Sequence, residues 1–361
     1  MTANSSTCFA AQVAAAMGRG ITISNAFDSS YSDSRPVTLR PFLKAYREEG
    51  FQHVRLAVSW FRPDDSSASL VQQWSSILSD IDDAVGYAIS LGLVVVLNSS
   101  AAVDLYRDYD GSAAYNDPFA LLWKDVATHF LGVSPASLIF EVQTELQGVF
   151  NDVNMGLALS RQLNLVGYSA IRAVDSSRVI AVQPNGNGEM AALPSMYPTA
   201  ADLPGGGQDG RLMISVQTFT PAGFCDPVSG SNSFFVSIGA LHTELTDQLT
   251  ALSNWYINVG ATACCGLGVL SFGVGAAIPA RRDSALVREY YRFLAASIVA
   301  KGWAACTYSN GNTFTMATQV HNTIVYPYYL CQAVLSKAYT VPVPAIKRKT
   351  AYIPSRFSRR R

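Results

Sequence analysis

The sequence predicts an α/β protein in which eight parallel strands close into a single (β/α)8, or TIM, barrel. Two observations carry this. Eight short β-branched and apolar runs alternate with helical stretches along the 361 residues, a pattern that makes a parallel sheet, and eight such units favour closure over an open sheet. An open doubly wound sheet with a dinucleotide site would carry a glycine-rich phosphate fingerprint after its first strand. Here Gly18-Arg19-Gly20 precedes that strand, so no dinucleotide is expected, nor any other cofactor.

The predicted strands are Gly20–Asn25, His53–Trp60, Leu93–Ser100, Leu138–Glu145, Arg178–Asn185, Leu212–Phe219, Gly266–Gly273 and Gly302–Ser309. Each is a run of four to eight residues rich in Val, Ile, Leu or aromatics, the length and composition of a buried strand. Helical periodicity fills the intervals at Leu39–Glu49, Leu70–Leu91, Pro118–Phe130, Met155–Ala173, Val236–Asn258 and Ser284–Ala300, with a last helix at Tyr328–Ala338 after Pro327. The connection after the fifth strand is the weakest, with a turn or two at Met190–Met196 before the loop DLPGGGQDG. The expected organisation is an N-terminal extension at 1–16, the barrel at 17–341 and a basic, Pro-containing tail at 342–361, where Pro342, Pro344 and Pro354 discourage regular structure.

Hydrophobic residues make up 49% of the chain and charged residues 14%, a composition with ample apolar area for a core. No uninterrupted apolar run reaches 18 residues, and the first 25 residues lack a basic start followed by a long apolar core. Neither a membrane span nor a signal peptide is expected. The formal net charge of zero hides an asymmetry: Lys347–Arg361 holds seven of the 26 Lys and Arg and no acid, leaving 19 basic groups for the body against 26 Asp and Glu. Such a tail is solvated, or it docks on an acidic partner: protein, nucleic acid or membrane surface.

Six cysteines, Cys8, Cys225, Cys264, Cys265, Cys306 and Cys331, show no zinc-ligand spacing. Adjacent Cys264 and Cys265 on one strand would point to opposite faces, and buried free thiols are the expectation for the set. No metal site is predicted. Asn98-Ser99-Ser100 fits the glycosylation pattern, but at a strand end it is a poor acceptor.

In such a barrel the chemistry sits at the C-terminal ends of the strands. The tips read Asn25, Trp60, Asn98-Ser99-Ser100, Thr144-Glu145, Pro184-Asn185, Gln217-Thr218-Phe219, Ser271 and Tyr308-Ser309. Glu145 is the only carboxylate among them.

From about Met17 to Gly311 the chain resembles glycoside hydrolase family 5, the cellulase-like retaining glycosidases. "MGRGITISNAFD" resembles the family's opening strand, "GFQHVRLAVSW" its second, and "IDDAVGYAISLGLVVVLN" its third helix and strand. "LIFEVQTEL" is similar to the fourth strand, where the family reads Glu-x-x-Asn-Glu-Pro and the last Glu is the acid/base, and "LNLVGYSAIRAVDSSRVIAVQP" follows the helix into the fifth. Against this pattern Ser99-Ser100 replaces His-His, Thr144 replaces Asn, and Gln217-Thr218-Phe219 replaces His-x-Tyr. Leu270-Ser271-Phe272-Gly273 replaces Gly-Glu-Phe-Gly, whose Glu is the nucleophile, and Tyr308 stands where Trp is usual. Arg55, Glu141 and Glu145 survive.

The resemblance implies two carboxyl groups about 5–5.5 Å apart, one donating a proton and one attacking the anomeric carbon. Ser271 cannot take the second role: its hydroxyl has no evident base, and an alkoxide is far costlier than a carboxylate at neutral pH. The expectation is therefore a barrel without hydrolytic activity, with Glu145 a vestigial acid/base anchored by Arg55 or by backbone donors. Its role would be binding or structural. Arg55, Trp60, Asn98, Thr144, Gln217, Phe219 and Tyr308 would line the mouth and could hold a β-linked glycan, with Trp60, Tyr106, Phe219, Phe224 and Tyr308 as candidate stacking surfaces. The alternative is an active glycosidase on β-glucan-type glycans that uses Glu145 with a relocated carboxylate. Asp104, Glu189 and Asp226 are the candidates for a water-activating base about 6.5–9.5 Å from Glu145.

Overall fold

The computed structural model describes residues 8–27, 39–60, 75–100, 109–144, 153–225 and 237–338. Eight parallel strands form a closed barrel in sequence order: β1 (Arg19–Phe27), β2 (His53–Val58), β3 (Val94–Ser99), β4 (Leu138–Glu141), β5 (Ile180–Val182), β6 (Leu212–Thr218), β7 (Gly266–Phe272) and β8 (Ala304–Ser309). Pairing of β1 with β8, from Arg19↔Ala305 to Ile23↔Ser309, closes it.

The helices form the outer layer because their apolar stripes match the outward faces of the strands. In the Ala285–Ala300 helix the buried positions Val287, Tyr290, Tyr291, Leu294, Ala295 and Ile298 recur at helical spacing. Ser284 begins it by accepting a hydrogen bond from the Val287 amide at 3.1 Å. Ile238–Trp255 repeats the arrangement, with a Leu241, Leu245, Leu249, Leu252 stripe and Ser237 as the capping residue. Outward strand residues such as Val54, Leu97, Phe140 and Ile214 share this outer core.

Several elements differ from the sequence expectation for identifiable reasons. The fifth strand shortens to three residues because the loop behind it takes its place beside β6: Glu189 bridges to Gln217, and the Gln217 amide donates to Gly188 O at 2.7 Å. Arg178, at its entry, is fully buried and ties Asp175 to the carbonyls of Phe130, Val133 and Leu138. The last helix contracts to Leu330–Val334, since Tyr328 and Tyr329 take left-handed backbone angles, φ 60° and 58°.

The helix Phe9–Met17 was not foreseen. Its buried face, Ala10, Val13, Ala14 and Met17, meets the inward residues Val96, Ile139, Val179, Met213 and Ala304 in one apolar cluster. It thus closes the N-terminal end of the barrel, and residues 9–16 of the presumed extension pack as its floor. The approach is close: a Cβ on Gly266 would lie 2.5 Å from Ala10 O.

Cys8 and Cys264 form a disulfide that joins the start of this helix to the entry of β7. That corrects the expectation of six free thiols; Cys225, Cys265, Cys306 and Cys331 are free and buried. Cys264 does not lie on the strand but precedes it with φ 57°, which turns its sulfur to Cys8. No described helix is long and apolar enough to cross a membrane. The basic tail at 342–361 lies outside the described residues.

Candidate active site

The mouth of the barrel is built upward from one buried ion pair. Arg55 on β2 is 3% exposed and Glu141 on β4 fully buried, and the Arg55 Nε donates to Glu141 Oε2 at 2.5 Å. The other carboxylate oxygen accepts a short hydrogen bond from Ser215 on β6. Asn98 on β3 completes the cluster, its amide nitrogen 3.0 Å from Leu56 O and its oxygen 3.0 Å from Arg55 Nη2. Charge-assisted bonds of this kind hold buried ions that would otherwise be costly to desolvate.

The second layer is neutral. Gln217 lies two residues beyond Ser215 on the same face of β6, and its Nε2 donates to Gln183 Oε1 at 3.3 Å. Ser271 on β7 is the register partner of Gln217 and is fully buried. The Thr144 hydroxyl donates to Ser99 O at 3.2 Å. Among the described residues, Ser271 Oγ, Gln217 Oε1, Ser99 Oγ and Asn185 Oδ1 are buried with no hydrogen-bond partner in the protein. Two of them, Ser271 Oγ and Gln217 Oε1, belong to register partners on adjacent strands, and orphaned polar atoms so placed mark a site for polar guests, water included.

Arg55, Glu141, Gln217 and Ser271 thus converge at or beneath one mouth, as predicted for barrel strands. Arg55 pairs with Glu141, whereas the expected anchoring of Glu145 by Arg55 falls outside the described residues. Glu145, Tyr106, Asp104 and Asp226 lie outside the described residues. Glu189 shares a hydrogen bond with Thr220, and burial pushes its carboxyl above the usual range against that bond.

Two of the aromatic candidates are not stacking surfaces. Trp60 is 2% exposed and Phe224 fully buried, both within the outer core, where Phe224 packs on Tyr290 at 5.8 Å. Phe219 and Tyr308 remain half-buried at the mouth, ring centroids 5.5 Å apart. Phe314, in the loop after β8, joins both and was missed. The signal available was a lone aromatic in the polar loop "NGNTFT", too weak to single out.

Chemically, the described mouth offers the Arg55–Glu141 pair, the Glu189 carboxyl, amides and hydroxyls. The described imidazoles have other places: His53 lies at the floor, bonded to Met17 O, His129 and His242 pair with Asp82 and Glu289 on outer helices, and His321 is exposed in the turn between Thr318–Val320 and Thr323–Val325. Among the described residues no group of three or more His, Cys, Asp or Glu is placed to hold a metal ion.

Residues 15–308 match the model of the cellulase family, glycosyl hydrolase family 5. Among curated proteins, the chain is 23% identical over 170 residues to endoglucanase H of Acetivibrio thermocellus, covering 46% of this chain and 17% of that protein. It is 23% identical over 249 residues to the cellulase/esterase CelE of the same organism, covering 64% and 28%. The chain therefore spans less than a third of either relative. Among solved structures, a broad-specificity endoglucanase from Clostridium acetobutylicum superposes with a TM-score of 0.74 at 21% identity, covering 90% of this chain and 99% of that one. Endoglucanase Cel5A from Thermotoga maritima gives 0.70 at 18% identity, with 90% and 99% covered.

Proposed function

Because the chain belongs to glycoside hydrolase family 5, we propose that it is a cellulase-type barrel that has lost the retaining nucleophile and acts as a binding or structural module. The observation that carries this is Ser271. It lies at the tip of β7 opposite Gln217, and in this reading that tip is the place of the family's attacking glutamate.

A retaining hydrolase forms a glycosyl ester on that carboxylate. Serine would have to attack as an alkoxide, and Ser271 Oγ has no hydrogen-bond partner among the described residues to take its proton. Nor does a neutral hydroxyl supply the negative charge that stabilises an oxocarbenium-like transition state, usually the largest electrostatic contribution. Glu145 by itself protonates a leaving group while nothing attacks the opposite face.

The ligand class in this reading is a β-linked glycan, held by Asn98, Thr144, Gln217 and the half-buried aromatics. Structural neighbours in complex with cellobiose and mannotriose support the class. The seven cations of Lys347–Arg361 would fix the module to an acidic partner, protein, nucleic acid or membrane surface, in a salt-dependent way.

The test is a panel of β-glucan, mannan and xylan oligosaccharides, scored for reducing-end release and, in parallel, for binding by calorimetry. Binding without cleavage supports a glycan-holding module, and neither supports a structural one. Cleavage abolished by Glu145→Gln but insensitive to Ser271→Ala would overturn the reading and establish a relocated carboxylate.

A further inference from the structure

The tip of β7 is roofed. Ser271 has no exposed surface, and register shows what lies above it. Its partner on β6 is Gln217, and Phe219 follows two residues later, one past the end of the strand. On the other side Thr307 pairs with Phe272, which sets Tyr308 one residue nearer the mouth. Phe219 and Tyr308 thus leave the two flanking strands on the mouth side of Ser271.

Phe314 completes the roof. Its centroid lies 5.5 Å from Phe219 and 5.2 Å from Tyr308, with interplanar angles of 75° and 77°, and Phe219 meets Tyr308 at 86°. Three mutual edge-to-face contacts are the preferred aromatic geometry. Phe314 also lies close to Gly273, just past the end of β7, where an added Cβ would sit 3.3 Å from its Cδ1.

The loop that carries Phe314 is fastened at several points. Asn310 Oδ1 accepts from the amides of Asn312 and Phe314 at 3.0 and 2.9 Å. Ser309 Oγ accepts from the Met316 amide at 3.2 Å. From the loop after β7, the Ala276 amide donates to Thr313 O at 3.1 Å, and buried Arg282 donates to Thr315 O. A segment fixed in this way opens less often than a free surface loop.

The geometry points to the Phe219, Tyr308, Phe314 trio as a built-in aromatic plug that keeps ligands away from Ser271. This rests on the reading that Ser271 stands at the lost nucleophile's place. Its consequence is distinct: a glycan rests on the exposed sides of Phe219 and Tyr308 without passing beneath them, and a carboxylate restored at 271 would lie under the plug without access to substrate.

Access to residue 271 can be measured without any turnover. In the full-length Ser271→Cys protein, the rate of modification by methyl methanethiosulfonate is followed by peptide mass spectrometry, with buried Cys265 at the opposite end of the barrel as an internal check on unfolding. The plug predicts that adding Phe314→Ala speeds modification at 271 by about tenfold or more, with Cys265 protected throughout. Phe219→Ala should act in the same direction, so the result does not depend on one variant folding. A Ser271→Cys thiol that reacts equally fast with the trio intact would overturn the plug. That outcome would leave the loss of the nucleophile untouched, just as observed glycan cleavage would leave the roof untouched.

Discussion

The two ends of this barrel are made from the same eight strands and are built on opposite principles. At the floor, the Phe9–Met17 helix covers inward Val96, Ile139, Val179 and Met213, and a disulfide fastens it. At the mouth, the inward residues are Arg55, Glu141, Asn98, Ser215, Gln217 and Ser271, with buried polar atoms left unpartnered. The difference teaches that one end is composed for packing and the other for polar guests. In barrels of this kind stability and function divide along the same axis.

Breaking the lowest layer of the mouth should have the largest effect on stability. Glu141→Ala leaves the Arg55 guanidinium buried without its described carboxylate partner, and loss of one member of such a pair costs about 3–5 kcal/mol. Urea unfolding checks it; a change under about 1 kcal/mol would show that the pair behaves as if exposed.

At the floor, Cys8→Ser opens a link between residues 256 apart in sequence. The expected loss is about 2–5 kcal/mol, seen as a lower denaturation midpoint. Before reduction the unfolded wild-type protein should titrate four thiols, and six afterwards.

A further test of the floor is pH. His53 is fully buried, and desolvation, only partly offset by its bond to Met17 O, lowers its pKa from 6.5 to about 4. The native imidazole is neutral where the unfolded one is protonated, so the unfolded state binds more protons between these values. Stability should therefore hold above about pH 7 and fall as pH drops from 6.5 towards 4, by up to about 3 kcal/mol. His53→Asn should flatten that part of the curve; an unchanged profile would place the proton uptake elsewhere.

The smallest effect belongs to the second layer of the mouth. Ser271→Ala removes a buried hydroxyl that has no protein partner, so stability should stay within about 1 kcal/mol of wild type or rise. A loss of several kcal/mol would show that the hydroxyl is bonded in a way that matters to the fold.

The barrel was legible in the sequence because strand and helix periods alternate cleanly, and every predicted strand is present within a few residues. The floor helix was not, although Ala10, Val13, Ala14 and Met17 follow helical spacing: three are small or only moderately apolar, and their burial depends on strands far away in sequence. The Cys8–Cys264 bond was hidden for the same reason. At the mouth, Arg55, Gln217 and Ser271 were visible as strand tips. The Arg55–Glu141 pair was not, because it depends on register across β2, β3 and β4 rather than on spacing along one strand. Aromatics divided by direction: Phe219 and Tyr308 reach the mouth, whereas Trp60 and Phe224 turn into the outer core, a distinction that depends on how each strand ends.

The most direct test of the central claim is covalent trapping. An activated 2-deoxy-2-fluoro-β-glycoside of a cello-oligosaccharide leaves a long-lived glycosyl ester on any retaining nucleophile, and intact-protein mass spectrometry reads it as a fixed mass increase. The account predicts no adduct on the wild-type chain after prolonged incubation. A stoichiometric adduct, mapped to any Asp or Glu at the barrel mouth, would contradict it.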